Sequence, residues 1–420
     1  MQLARRVTDC YIAALLTLFL LGVGAAGYGA ITAYKFELFC ALTGLWLAAL
    51  ALVCLLYRVP LDKPDRVDWL LLGYGGLTLL STLVHGLSLA GGSRKEGFVA
   101  IGLYCLIVLV GRRFCTPRPW MLYLLGGSMT VWCVIALIQF AGGNPFSLYP
   151  NGLTWQDAGV AYAGAYISTT GNTDLAGALL CLVIPALLGG LLRFRGGRRF
   201  WLLVPLALCI TVLLGMEVRG ALLGLAAGLI FGLPLLLPVA PRTRKALLLG
   251  ACGLCLAALV LIWCIRLPGT LGEAHDLLHG ETTLYTGAGR VYIWTHCLAL
   301  LPQNPLLGTG PDNLGSVGLY FERHDAVQNV VYRSLIDMAH NEFLNVAVQQ
   351  GIPALVCFLG ILLAAFRKGS PVLRACLLCW AAQACFGFSM VNTAPYYWLC
   401  LALCLGTGLK KEHKTRRIKA

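Results

Sequence analysis

Charge is what this 420-residue sequence has least of: only 12% of its residues are Asp, Glu, Lys or Arg. A soluble domain carries roughly twice that share, so a chain folded behind a single water-facing shell is excluded. Also missing is any run of alternating apolar and polar residues, which excludes a barrel of membrane strands. No internal repeat and no low-complexity segment divides the chain. What fills it is apolar runs of roughly 20 residues, recurring from end to end, with 59% of the residues hydrophobic. Hydrocarbon offers no partner to backbone N–H and C=O groups, so such runs must be helices. The expected fold is an all-α polytopic integral membrane protein with about twelve transmembrane helices. The spans are read at 10–30, 36–57, 69–90, 97–111, 120–141, 173–192, 200–216, 220–239, 246–265, 342–365, 372–389 and 394–409. The first follows Arg5 and Arg6 and lacks a small-residue cleavage motif, so a retained anchor is expected.

The basic residues set the orientation. Counted by the ends they flank, 24 of the 32 Lys and Arg residues fall on one side and eight on the other. The eight are Lys35, Arg94, Lys95, Arg219, Arg266, Arg290, Arg323 and Arg333. By the positive-inside rule both termini are expected to be cytoplasmic. The net charge of +14 is then a topology signal and an attraction to anionic lipid, and implies no nucleic-acid partner. The 18 cysteines lie mostly inside the apolar runs, where Cys acts as a small apolar residue. The Cys-x-x-Cys pairs at Cys252/Cys255 and Cys376/Cys379 are read the same way.

Connections on the basic side are short and turn-rich. The other side has two long ones, at 142–172 and 266–341, the second far longer than a helix connector needs. Part of it, "GRVYIWTHCLALLPQNP", has helical spacing, with Val291, Trp294, Leu298 and Leu301 on one face. Function is therefore expected on that outer face.

Its candidate residues follow from their cost. Arg219 lies between two apolar spans, where a charge must snorkel, pair (Glu217 is adjacent) or face an aqueous cavity. In the last case its planar fork suits a phosphate. Arg290 opens the helical stretch of the long loop, beside the positive end of a helix dipole, a poor place for a cation unless an anion comes. Arg323 and Arg333 are weaker candidates of the same kind. His340 precedes the tenth span, with Asp337 one turn upstream and Asn341 and Glu342 next to it. A carboxylate beside an imidazole fixes its tautomer and raises its basicity, although a helix-end histidine is often only a hydrogen-bonded bystander. His275 and His279 have metal-pair spacing but no evident third ligand, so no metal is expected.

Taken together these segments resemble the O-antigen ligase and polymerase superfamily of membrane glycosyltransferases. "HNEFLNVAVQQGIPA" is similar to its histidine motif at His340 and Gly351, with Ala354 where the family carries a second glycine. "RGALL" matches its Arg-x-x-x-Leu element at Arg219 and Leu223. The loop with Arg290 and the turn Pro305, Gly308, Gly310 looks like its second-arginine loop, and "TTGNTDLAGALL" like its glycine-asparagine element at Gly171 and Asn172. The resemblance implies a C-type glycosyltransferase fold whose catalytic core spans 171–366, including the extracytoplasmic loop 266–341. It would follow N-terminal helices over 1–170 and precede C-terminal helices and a basic tail over 367–420. It further implies a glycan donor on undecaprenyl diphosphate and inverting transfer to an acceptor hydroxyl at the outer face of a bacterial cytoplasmic membrane, without cofactor or metal. His340, Arg219 and Arg290 would be catalytic, with Asn172, Asp312, Asp337, Asn341 and Glu342 binding substrate, and 266–341 would supply a lid. A repeat-unit polymerase or a protein O-glycosylating transferase fits equally; a transporter or flippase fits less well, since the notable charges gather at one face rather than at mid-membrane.

The orientation has a direct test. An impermeant thiol probe should label Cys introduced at Ser316 from outside intact cells, over the background of native cysteines, and miss Cys introduced at Thr243. Labelling in the opposite sense overturns the orientation.

Overall fold

The computed structural model describes residues 1–60, 63–149, 156–157, 160–161, 167–325 and 330–406. Helix dominates it, as lipid requires. The helices are α1 (Gln2–Ala14), α2 (Ile31–Leu56), α3 (Arg66–Val84), α4 (Phe98–Gly111), α5 (Pro119–Phe140), α6 (Thr173–Arg193), α7 (Leu203–Gly215) and α8 (Arg219–Leu236). They continue with α9 (Pro241–Cys264), α10 (Thr270–Leu278), α11 (Arg290–Leu300), α12 (Glu342–Gln350), α13 (Ile352–Lys368), α14 (Pro371–Ala384) and α15 (Ala394–Leu405). Among the described residues the strands are confined to two antiparallel hairpins, Gln156–Asp157 with Val160–Ala161 and Tyr320–Asp325 with Val330–Leu335.

Where twelve spans are expected, seven helical stretches among the described residues are long and apolar enough to cross a membrane; α4, α14 and α15 are shorter apolar helices. Two expected spans differ in kind. The first is α1, continued by a π-helical turn at Leu15–Phe19. The tenth is broken at Gly351 into α12 and α13. The reason for the break is local. Gly351 has φ +93°, and a Cβ there would lie 2.1 Å from the Leu306 carbonyl oxygen. The turn at Pro305–Gly310 docks on the gap: Thr309 N–H donates to Val348 O, Gly310 N–H to Gln349 O, and Ile352 N–H to Pro305 O. Irregular backbone survives at membrane depth only when protein satisfies it in this way.

Helix starts follow the sequence. Asp65 caps α3 in a capping box with Asp68, Asn172 caps α6, Asn341 caps α12 and Ser370 caps α14. Below the α3 start, Asp68 is buried against Arg112 (2.6 Å) and Arg113 (2.9 Å), an ion-pair knot that ties α3 to α4. Lys35, expected on the outer side, lies within α2 and is fully buried. Its ammonium donates to the carbonyls of Phe19 and Leu20, which the end of the π turn leaves open.

The closest packing joins α8, α14 and α6. Gly224, Gly228 and Gly232 form a small-residue stripe along α8. A Cβ on Gly224 would lie 2.4 Å from Gln383 Cα, and one on Gly228 2.3 Å from Cys379 Cα. On the α6 side, a Cβ on Gly177 would meet Ala221 Cβ at 2.5 Å. By contrast α9 is mostly exposed, and neither Gly250 nor Gly253 has a neighbour near its Cβ position.

Gly228→Val is therefore expected to force α8 and α14 apart, at a cost of about 1–3 kcal/mol or more, read as a lower thermal midpoint and lower yield of monodisperse protein. Gly253→Val should leave both unchanged. Equal behaviour of the two variants would remove the stripe from the account.

Candidate active site

Four helix starts meet on the face that carries the long connections: those of α6, α8, α11 and α12. The N-termini of α8 and α11 have no side-chain cap, and each opens with an arginine. Uncapped N–H groups and two guanidinium groups make a cationic, donor-rich corner.

Arg290 is held by its Nε, which donates to Phe386 O at 3.0 Å, and by Nη1, which donates to Gly287 O at 3.4 Å. Its Nη2 passes over the start of α8, 3.8 Å from where a Cβ on Gly220 would sit. Arg219 is 68% exposed, and its ion-pair partner is Glu273 of α10 at 3.4 Å, not the adjacent Glu217. The other oxygen of Glu273 accepts from Gly287 N–H at 2.8 Å, so one carboxylate ties Arg219 to the loop that carries Arg290. Arg333 pairs with Glu322 across the hairpin. The side chain of Arg323 lies outside the described residues. His275 and His279 stack on each other, centroids 4.1 Å apart, with Trp263 against His279.

His340 sits at φ +47°, a conformation that non-glycine residues seldom adopt and that clusters at functional sites. The strain is locked on both sides: Trp294 Nε1–H donates to Ala339 O, Ala339 N–H donates to Asn345 Oδ1, and Asn341 caps α12. The imidazole meets the Phe388 ring edge-on, centroids 5.0 Å apart. Its nearest carboxylate is Asp174, with Nδ1 and Oδ2 3.9 Å apart. Burial pushes the His340 pKa below its ordinary value; Asp174 and Asp337 pull it up, while Arg290 and Arg94 push it down.

That reverses the direction expected from Asp337 and Glu342. Asp337 is gripped by Arg94, Nε to Oδ2 at 2.7 Å and Nη2 to Oδ1 at 3.1 Å, and acts on the imidazole only from a distance. Glu342 turns inward and accepts from Ser389 N–H at 2.8 Å. Asn172 and Asn341 spend their side-chain oxygens on helix caps. Asp312 accepts from Gly92 N–H at 2.6 Å and lines a polar cavity of about 30 Å³ together with Glu96 and Glu342. Of the residues marked in the sequence, the structure thus gathers Arg219, Arg290 and His340 at one corner. Asn172, Asp312, Asp337, Asn341 and Glu342 form its supporting frame. A larger cavity of about 250 Å³, lined by apolar residues of α1, α5, α6, α14 and α15, lies away from this corner beside Arg118 and Ser370.

Two features escaped the sequence reading. Asp174, in the first turn of α6, faces Arg290 Nη2 at 3.8 Å as well as His340. The connection at 385–393 underlies the whole corner: Phe386 holds Arg290, Phe388 packs on His340 and Arg94, and Ser389 holds Glu342. The available signals were an acid just after a capping asparagine and an aromatic, glycine-bearing interruption, "FGFSM", between two apolar runs.

Arg219, Arg290 and His340 all fall within one recognisable domain. Residues 202–359 match the family model for O-antigen ligase. The chain thus has the helices of a multi-pass membrane protein, and its residues 202–359 are similar to the O-antigen ligase family. No curated protein matches the chain. The O-antigen ligase match spans α7 to the first half of α13, and leaves both Asp174 and 385–393 outside it.

With two guanidinium groups at one opening, binding of inorganic diphosphate as an anion probe should weaken about tenfold or more in Arg219→Ala and in Arg290→Ala, since a charged hydrogen bond is worth about 1.5–3 kcal/mol. Lysine should recover little, because one ammonium does not reproduce two parallel bonds. Unchanged binding in both alanine variants removes the arginines from the site.

Proposed function

We propose that this protein is a membrane glycosyltransferase that moves a glycan from an undecaprenyl-diphosphate donor to an acceptor hydroxyl, at the outer face of a bacterial cytoplasmic membrane. The observation that carries the reading is the convergence of Arg219, Arg290 and His340, spread over 121 positions of sequence, at helix starts inside the segment that matches the O-antigen ligase family.

The chemistry follows from the charges. The bond between the anomeric carbon and the lipid diphosphate breaks, and its electron pair goes to the phosphate oxygen. Arg219 and Arg290, with the N-termini of α8 and α11 that no side chain caps, meet that growing negative charge in place before the reaction begins. The acceptor oxygen attacks the opposite face of the anomeric carbon, so configuration inverts, and its proton passes to His340. A hydroxyl proton is held far above neutral pH, so a positioned base is worth about 10² to 10⁴ in rate. The lowered pKa of His340 keeps the imidazole neutral, which a base requires. A site at the membrane edge lets the lipid tail stay in the bilayer throughout the transfer.

Donor binding and transfer should therefore separate. His340→Ala and His340→Gln are expected to keep undecaprenyl diphosphate binding and to lose about 10² to 10⁴ in transfer. Because burial lowers the His340 pKa in the ligand-free protein, the acid limb of kcat/KM, which reports the free enzyme, should fall below the ordinary value of about 6.5: kcat/KM is full above that limb and lost as pH drops through it. Wild-type transfer by His340→Ala, or an acid limb of kcat/KM well above 6.5, overturns this assignment.

A further inference from the structure

Among the described residues, Asp174 is the one acid of the corner that faces both an arginine and the imidazole, with no tight grip on either. Oδ1 stands 3.8 Å from Arg290 Nη2, and Oδ2 stands 3.9 Å from His340 Nδ1. Its place is fixed by the backbone, because Asn172 Oδ1 accepts from its own N–H at 2.9 Å and α6 is locked to α8 one turn later at Gly177. The other carboxylates nearby are committed: Asp337 to Arg94, Glu273 to Arg219 and Gly287 N–H, Glu342 to Ser389 N–H, Asp312 to Gly92 N–H. The charged groups acting on the imidazole are Asp174 of α6, Arg290 of α11, and Arg94 and Asp337 of the connections.

We propose that Asp174 is a positioning residue shared between Arg290 and His340, and that a bound diphosphate takes Arg290 from it, leaving its carboxylate to His340. The inference rests on the transferase reading for its purpose, though not for its geometry. A diphosphate offers a guanidinium more negative charge and parallel acceptors than one carboxylate at 3.8 Å. Released from Arg290, Asp174 accepts from Nδ1–H of His340. That fixes the tautomer, turns Nε2 toward the acceptor hydroxyl and stabilises the imidazolium once the proton arrives. The base is then strengthened only when donor is present. By linkage, protonation of His340 and diphosphate binding favour each other to the same degree.

The test reads proton affinity rather than transfer. His340 in the full-length protein is carbethoxylated with diethyl pyrocarbonate across pH, with and without undecaprenyl diphosphate, and the modified site is quantified by mass spectrometry; only neutral imidazole reacts. In wild type the midpoint should rise when undecaprenyl diphosphate is added. Asp174→Asn should lower the midpoint without ligand by about half a unit or more and remove most of the ligand-induced rise, since a nearby carboxylate favours the charged form. Asp174→Glu keeps the charge and should retain the rise. Arg290→Met frees Asp174 with no ligand present, so its midpoint should lie above that of ligand-free wild type. An unmoved midpoint in Asp174→Asn, or none above wild type in Arg290→Met, overturns the proposal. If His340→Ala transfers normally the transferase reading fails, yet this measurement still decides whether Asp174 links the two groups.

Discussion

The contact on which the candidate site depends is the close approach of α8 and α14. Gly224, Gly228 and Gly232 let the two backbones touch, with no side chain between α8 and the Cα atoms of Gln383 and Cys379. In lipid, packing of this kind replaces the hydrophobic drive that assembles soluble cores. Both members end at the same face. Arg219 is the first residue of α8, and the connection at 385–393 leaves the end of α14. Through Phe386, Phe388 and Ser389 that connection reaches Arg290, His340, Arg94 and Glu342. The distance between the arginine of α8 and the rest of the corner is thus set by three missing side chains.

Strain is placed on the same scaffold. His340 at φ +47° and the helix break at Gly351 are 11 residues apart, separated by the single short helix α12. The Pro305–Gly310 turn binds the open carbonyls at the break, and Gly308 has no room for a Cβ against Val348 O. The spacing from His340 to Gly351 is therefore the length of a helix pinned at both ends. One pin holds the imidazole at the corner, and the other clamps the loop that carries Arg290 to the membrane core. Ala354, where the resembled family has glycine, is fully buried inside α13 and plays no part in the break.

What the sequence made legible follows from its scarcity of charge. In a chain this apolar, an arginine at a span boundary or a histidine at a helix start stands out, and Arg219, Arg290 and His340 were found for that reason. Their partners were not. Asp337 and Glu342 are near His340 in sequence, but adjacency does not give direction: Arg94, 243 positions away, takes the first, and the second faces the core. Asp174 was hidden because an acid in the first turn of a helix is ordinary dipole chemistry. The burial of Lys35 was hidden because no sequence pattern announces that α1 ends in a π turn with open carbonyls to fill. The single tenth span failed for a similar reason, since Gly351 breaks the helix only because a distant turn is there to satisfy it.

The charges of the corner are balanced, and the balance is graded. Arg94 is matched by Asp337 at 2.7 Å, Arg219 by Glu273 at 3.4 Å and Arg290 by Asp174 at 3.8 Å. Three bare cations beside a membrane would be costly to hold and would suppress the basicity of His340 between them. Matched cations avoid both effects. Yet a site that binds a diphosphate must give its cations up to the ligand, so its internal pairs must be weak where the ligand binds. The short, bidentate pair belongs to Arg94, which packs on Phe388 and holds the frame. The two long pairs belong to the arginines at the opening, and the exposed Arg219–Glu273 contact is of the kind that contributes little. Tight pairing at the frame and loose pairing at the opening is the pattern expected of a site that exchanges its own carboxylates for an incoming phosphate.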